Sequence, residues 1–188
     1  MNNKRAIPSF LIVLALASLS CSIFIGGPDY PAEPIPVSLE AAESIKEEFK
    51  RAVAAGVATG TVTLQINESQ LTSYLLVKFA QQNKPLMREP QVYLRDGQMQ
   101  LFGKVERGIF LANVAMVVDV SVDEAGAPRI QVASADFGPF PAPQGLNDAI
   151  SAVIAEAFTG SLGPIASGFR IESITISDGL MTLSGRIK

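Results

Sequence analysis

The chain has 188 residues, with 18 acidic and 15 basic side chains, one cysteine and no histidine. That length suits a single domain, and a net charge of −3 without a cluster of Lys and Arg gives no basis for nucleic-acid binding. The missing histidine excludes Ser-His-Asp and Cys-His catalysis and removes the commonest metal ligand.

The first residues have the pattern of a targeting segment. Lys4 and Arg5 precede a long apolar run, and no charged residue occurs between Ala6 and Pro28. A basic start followed by an apolar stretch is typical of a signal peptide, which we assign to residues 1–20. The protein is therefore expected to be exported, with its domain on the extracytoplasmic side of the membrane.

Cys21 follows the apolar run at the position where bacterial lipoproteins are cleaved and acylated. Ser20 supplies the small residue that such a site needs, although Ser18 stands where Leu is expected. The alternative is an uncleaved N-terminal anchor, because Ile7–Gly27 is about long enough to span a bilayer. Both interpretations attach the protein to the cell membrane.

A Pro-rich segment comes next. Residues 22–37 contain four prolines and two glycines, a composition that favours a semi-extended spacer of roughly 3 Å per residue. We predict that residues 21–37 are a lipidated cysteine and a tether.

Two helices flank a short strand after the tether. Ser38–Gly56 has apolar residues at helical spacing and a serine suited to cap its start. Its mixed polar face favours a packing helix over a membrane-surface helix. Residues 61–66 alternate like a half-buried strand, and Asn67 with Gln70 predicts a capping box for a second helix that ends near Gln82.

A repeat is the strongest internal signal. Val92–Val105 reads VYLRDGQMQLFGKV and Ile174–Ile187 reads ITISDGLMTLSGRI. In both, Asp-Gly suits the two positive-φ positions of a type I′ turn, so each repeat is predicted to be a β-hairpin. Val92 should then face Leu101 in the first hairpin, with the equivalent pairing in the second.

Two long strands and a third helix complete the prediction. Ile109–Val122 and Arg129–Phe137 alternate in polarity around a turn, and Leu146–Phe158 returns to helical spacing with few charges. These elements predict an α+β fold in which a long, strongly twisted antiparallel sheet wraps round one or two apolar helices. Residues 38–188 would form this single domain.

Carboxylates are the remaining candidates for chemistry. Asp123 and Glu124 fall in a predicted turn, Asp119 lies on the outward side of a strand, and Asp136 is near a Gly-Pro corner. The nucleotide-binding glycine motifs and the calcium-loop spacing do not occur. We therefore predict that the protein has no catalytic residues, no cofactor and no metal site.

The pattern as a whole resembles the LmeA-like phospholipid-binding proteins of bacterial envelopes, over about residues 60–188. More loosely, it is similar to the YceB-like lipoproteins and the tubular lipid-binding superfamily. The segments that carry the resemblance are NESQLTSYL, VYLRDGQMQLFGKV, DFGPFPAP and FRIESITISDGLMTLSGRIK. The resemblance implies a curved sheet round a helix, with acyl chains in the apolar groove between them.

Eight apolar residues are the candidates for lining such a groove: Leu71, Leu75, Phe79, Phe110, Val114, Met116, Ile150 and Ile154. The expected partners are thus the membrane and a lipid-like ligand, while no protein partner is indicated. The alternative is a structural or protein-interaction lipoprotein in which these residues form a closed core and a sheet edge or the first helix meets a partner.

Overall fold

The computed structural model describes residues 22–83, 85–142, 144–145, 148–153 and 169–187. The predicted signal peptide, Cys21 and Ile154 lie outside these residues. The helices are α1 (Leu39–Gly56), α2 (Glu68–Ala80) and α3 (residues 148–153). The strands are β1 (Ile23–Phe24), β2 (Thr61–Asn67), β3 (Arg88–Arg95), β4 (Gln98–Arg107), β5 (Phe110–Val122), β6 (Pro128–Asp136), β7 (Phe169–Ser177) and β8 (Leu180–Ile187).

The strands form two sheets. In sheet A, β3, β4, β5 and β6 are antiparallel neighbours in that order, and β1 pairs parallel with β5. Sheet B has the antiparallel order β2-β8-β7. The sheets meet where the Ile171 amide donates to the Gly126 carbonyl at 3.2 Å and the Gly179 amide donates to the Leu94 carbonyl at 3.1 Å.

The predicted α+β class is confirmed in general form, as a sheet-dominated fold with a curled half-barrel. The expectation of one long sheet is wrong, because the second hairpin does not continue from β6. A connection of about 30 residues separates β6 from β7, which frees the β7–β8 hairpin to pair with β2 instead.

Both predicted helix starts are confirmed. The Ser38 hydroxyl accepts a hydrogen bond from the Ala41 amide at 3.0 Å. Asn67 and Gln70 form a reciprocal capping box, with distances of 2.9 Å and 2.8 Å. These side chains satisfy amides that the first helical turn leaves without an intrahelical partner.

Both hairpins are also confirmed. Asp96 and Gly97 have φ values of 54° and 78°, and Asp178 and Gly179 have values of 50° and 81°. Two successive positive values give the turn a twist that matches the flanking strands. The resulting registers contain the predicted apolar pairs: Val92 with Leu101, Leu94 with Met99, Ile174 with Leu183, and Ile176 with Met181.

Helix α2 covers the outer edge of β3. The Val92 amide donates to the Thr72 hydroxyl at 3.0 Å, and the Leu94 amide donates to a Glu68 carboxylate oxygen at 2.8 Å. An uncovered strand edge is open to pairing with another chain. These contacts therefore protect the β3 edge of sheet A from such pairing.

We expect Thr72→Val to lower the free energy of unfolding by about 1–3 kcal/mol, because it leaves the buried Val92 amide without an acceptor. Thr72 is fully buried, and valine keeps its shape, so the change isolates the hydrogen bond. Urea denaturation measures the effect. Thr63→Val on the exposed side of β2 is the matched control, and equal midpoints for the two variants would contradict this role for Thr72.

Candidate functional site

Six of the eight predicted groove residues lie together in one hydrophobic core. Each is buried, with an exposed fraction of at most 6%, and they come from α2, β5 and α3: Leu71, Leu75, Phe79, Val114, Met116 and Ile150. They pack with side chains of both sheets and of α1, including Phe49. In this part of the chain the protein's own side chains occupy the predicted groove.

Phe110 does not belong to this core, and its assignment to the groove stays a prediction. It is 43% exposed at the first position of β5, where it pairs with Ile23. The alternation along β5 is correct, since Ala112, Val114 and Met116 are all buried. The strand, however, begins beyond the part of the sheet that the core covers, which periodicity alone does not reveal.

A second group of apolar residues contacts the core without being fully covered. We call the members of this group on β5, β6, β7 and α3 the half-buried band: Val122, Ile130, Val132, Val153 and Ile174. Helix α3 lies beside it, with the Ser151 hydroxyl donating to the Ile130 carbonyl at 3.1 Å. Sequence reasoning missed the members on β6, although their alternation with Arg129 and Gln131 was a usable signal.

The Pro-rich segment 22–37 is bound along sheet A, so its prediction as an extended spacer is wrong. The Asn113 side-chain amide donates to the Pro28 carbonyl at 3.1 Å, and the Tyr30 hydroxyl donates to the Glu89 carbonyl at 2.6 Å. Further along, the Ile35 amide donates to the Gln91 side-chain oxygen at 2.6 Å. Extended proline-rich backbone lacks internal hydrogen bonds, so polar side chains of the sheet hold it.

The phenol of Tyr30 is chemically suited to this contact. Partial burial, reinforced by the Glu89 carboxylate, raises the pKa of Tyr30 to about 12. The hydroxyl is therefore protonated and able to donate throughout the neutral range. The ammonium group of Lys104 lies 5.3 Å from the centre of the Tyr30 ring, a cation–π distance, on the same side of the sheet.

Open cavities occur outside the core. One, of about 600 Å³, lies between α1 and the edge strand β2, and its lining includes Glu48, Arg51 and Thr63. Another, of about 220 Å³, lies at the end of α2 beside Phe79 and Met87. Each is a surface depression with part of its wall formed by exposed side chains.

Three of the carboxylates that were considered for chemistry have structural partners. Asp119 accepts from the Gln98 side-chain amide at 2.8 Å, and Asp123 accepts from the Ala127 amide at 2.9 Å within its turn. Asp136 accepts from the Gly138 amide at 2.7 Å. Within the described ranges, no group of three or more acidic or cysteine side chains is placed to hold a metal ion.

Of the helices in the described part, none is long and apolar enough to cross a membrane. No protein-family model, curated protein or solved structure matches the chain.

Proposed function

We propose that this protein is an exported, membrane-tethered envelope protein without catalytic activity, and that it holds a lipid or another hydrophobic molecule between sheet A and α3. The apolar start of the chain, Cys21 and the resemblance to phospholipid-binding proteins support export, tethering and the class of ligand. The described geometry supports a particular place for the ligand.

The observation that carries the proposal is a change in burial across the inner face of sheet A. On β4 and β5 the inward side chains, such as Leu101 and Val114, are fully buried. On β6 the inward side chains Ile130 and Val132 are only half-buried. The apolar surface thus continues past the region that the core fills, as expected for a mostly apolar ligand site with few polar groups.

The chemistry of the half-buried band limits the ligand class. Its members are aliphatic, and the polar side chain identified beside them is the Ser151 hydroxyl, which already donates to the Ile130 carbonyl. An acyl chain matches such a surface, because each buried CH₂ group contributes about 0.8 kcal/mol without requiring a polar partner. A charged headgroup would lie at the rim, in water.

The test uses the full-length protein, purified in detergent from bacterial membranes and analysed by native mass spectrometry with organic extraction. We expect about one acyl-chain molecule per protein. Val132→Phe should reduce retention on the order of tenfold, because the larger side chain occupies apolar space needed by the ligand, and a tenfold change corresponds to about 1.4 kcal/mol. The intact mass also reports whether Cys21 is acylated.

Gln131→Phe is the matched control, since Gln131 is adjacent to Val132 and exposed on the other side of β6. It should retain the ligand. Thermal unfolding of both variants shows whether the fold is intact. Equal lipid content in a folded Val132→Phe protein would exclude the half-buried band as the site, and a ligand-free wild-type protein after incubation with mixed lipids would contradict the binding function.

A protein-interaction role is the second candidate, and one observation favours it. In the described part β2 pairs only with β8, so its other edge lies open beside the cavity between α1 and β2. None of the exposed residues of β2 is charged or is a proline. The edge therefore lacks two features that commonly prevent a strand from pairing with another chain. A ligand-free protein in the mass spectrum would favour this role.

A further inference from the structure

The first strand and the start of β5 together expose an unusual apolar surface. Half of the large apolar side chains that are exposed in the described residues lie at this one place, each between 36% and 56% exposed. We call this surface the apolar patch, and its residues are Ile23, Phe24, Ile25, Ile109 and Phe110.

Backbone pairing gathers the patch at one end of sheet A, with Ile23, Ile25 and Phe110 on one face, Phe24 on the opposite face and Ile109 in the turn before β5. Ile23 pairs with Phe110, and the Ile23 amide donates to the Ile109 carbonyl at 2.6 Å. The Ile25 amide donates to the Leu111 carbonyl at 2.9 Å, so the patch extends along both strands. Single exposed apolar residues are ordinary on protein surfaces, but five of them at one end of a sheet, on both of its faces, indicate an end that another apolar phase surrounds.

The residues that precede the patch in the sequence indicate that the apolar phase next to it is a membrane. The uncharged apolar run of the predicted targeting segment leads directly to Cys21, two residues before Ile23. At no more than about 3.6 Å per residue, Ile23, the first residue of the patch, lies within roughly 7 Å of that cysteine. Because residues 22–37 are bound to sheet A, they cannot act as a long spacer that carries the domain away from the membrane.

Cationic and aromatic side chains adjoin the patch. Arg107 pairs with Phe110 in the β4–β5 register, and its guanidinium lies 5.5 Å from the centre of the Phe140 ring while donating to the Pro141 carbonyl at 3.2 Å. Positive charge and aromatic rings next to an apolar surface suit the boundary between lipid headgroups and acyl chains.

We propose that the apolar patch inserts into the surface of the lipid bilayer, so that the domain lies against the membrane with the starts of β1 and β5 in the headgroup region. The proposal rests on the membrane attachment proposed above and adds an orientation to it. It is separate from ligand binding in the half-buried band, which involves other residues.

The chain contains no tryptophan, so Phe110→Trp introduces a single fluorescent probe into the patch. Full-length protein carrying this change is reconstituted into vesicles of phosphatidylcholine and phosphatidylglycerol, with or without bromine on the acyl chains. We expect a blue-shifted emission that loses about half of its intensity or more in brominated vesicles, since interfacial side chains reach about 5–10 Å into the headgroup and acyl boundary.

Val57→Trp is the matched control, because Val57 is 72% exposed at the end of α1 and lies outside the patch. Its emission should be that of tryptophan in water, with no loss in brominated vesicles.

Co-sedimentation with the vesicles separates the membrane attachment from the insertion of the apolar patch. Protein that stays in the supernatant contradicts the membrane attachment and the inference with it, whereas protein that sediments with a water-exposed Phe110→Trp probe overturns the inference alone. A blue-shifted probe that bromine does not quench indicates coverage by a second copy of the chain and also overturns it.

Discussion

Met116→Asp is expected to unfold the protein. Met116 is 2% exposed in the middle of β5, opposite Leu101, and it belongs to the hydrophobic core. Aspartate would remove the packing of a long apolar side chain and bury a carboxylate without a partner. The two effects together should lower the free energy of unfolding by more than about 4 kcal/mol. That is a large part of the roughly 5–15 kcal/mol by which a typical domain is stable.

Far-ultraviolet circular dichroism and a urea titration measure this result. Ser121→Asp is the control on the same strand, since Ser121 is exposed and its pairing partner is Arg129. We expect its unfolding midpoint to stay near that of the wild type. A folded Met116→Asp protein with reduced lipid content would instead place an accessible ligand cavity at Met116 and contradict the closed core described above.

The contrast between Met116 and Val132 separates packing from binding. Both are apolar residues on the inward face of sheet A and alternate with more exposed neighbours along their strands. Their burial differs, since Met116 is fully buried in the hydrophobic core and Val132 is only half-buried at its margin. Ligand retention should therefore respond to substitution at Val132, and stability should respond at Met116.

Local features of the fold were predictable from the sequence because their causes are local. The Ser38 cap, the Asn67–Gln70 capping box and the two Asp-Gly turns each depend on residues within a few positions of one another. Strand alternation likewise gave the inward face of β5. These patterns require no knowledge of what lies across the fold.

Long-range features were not predictable in the same way. The contact between Tyr30 and Glu89 joins residues 59 positions apart, and composition alone describes the Pro-rich segment as a spacer. The pairing of β2 with β8 decides that there are two sheets, and it depends on which edge the second hairpin meets. The candidate site shifted for this reason, since burial depends on the neighbours that the topology supplies and periodicity does not identify them.

Gly27→Ala is expected to release the first residues of the Pro-rich segment from β5. Gly27 has a φ of 122°, a conformation that is open to glycine and strained for alanine, and a Cβ atom there would overlap the Asn113 carbonyl oxygen. Backbone hydrogen bonds to Ile109, Leu111 and Asn113 hold residues 23–26 beside β5, in addition to the parallel pairing of β1. Each of these hydrogen bonds stabilises the bound segment by about 0.5–1.5 kcal/mol. We expect the Cβ clash and the backbone strain together to cost more than these bonds contribute.

Hydrogen exchange at the Asn113 amide, which donates to the Gly26 carbonyl at 3.0 Å, reports this release directly. Gly26→Ala is the matched control: its φ of 100° carries comparable strain, but no atom lies within 4 Å of the added Cβ, so its effect should be smaller.

In the vesicle experiment, Gly27→Ala should also reduce the bromine quenching of the Phe110→Trp probe, because Ile23 then no longer lies beside it. Unchanged protection of the Asn113 amide in the Gly27→Ala protein would show that the segment tolerates the side chain, and unchanged quenching after release would show that Phe110 enters the bilayer without β1.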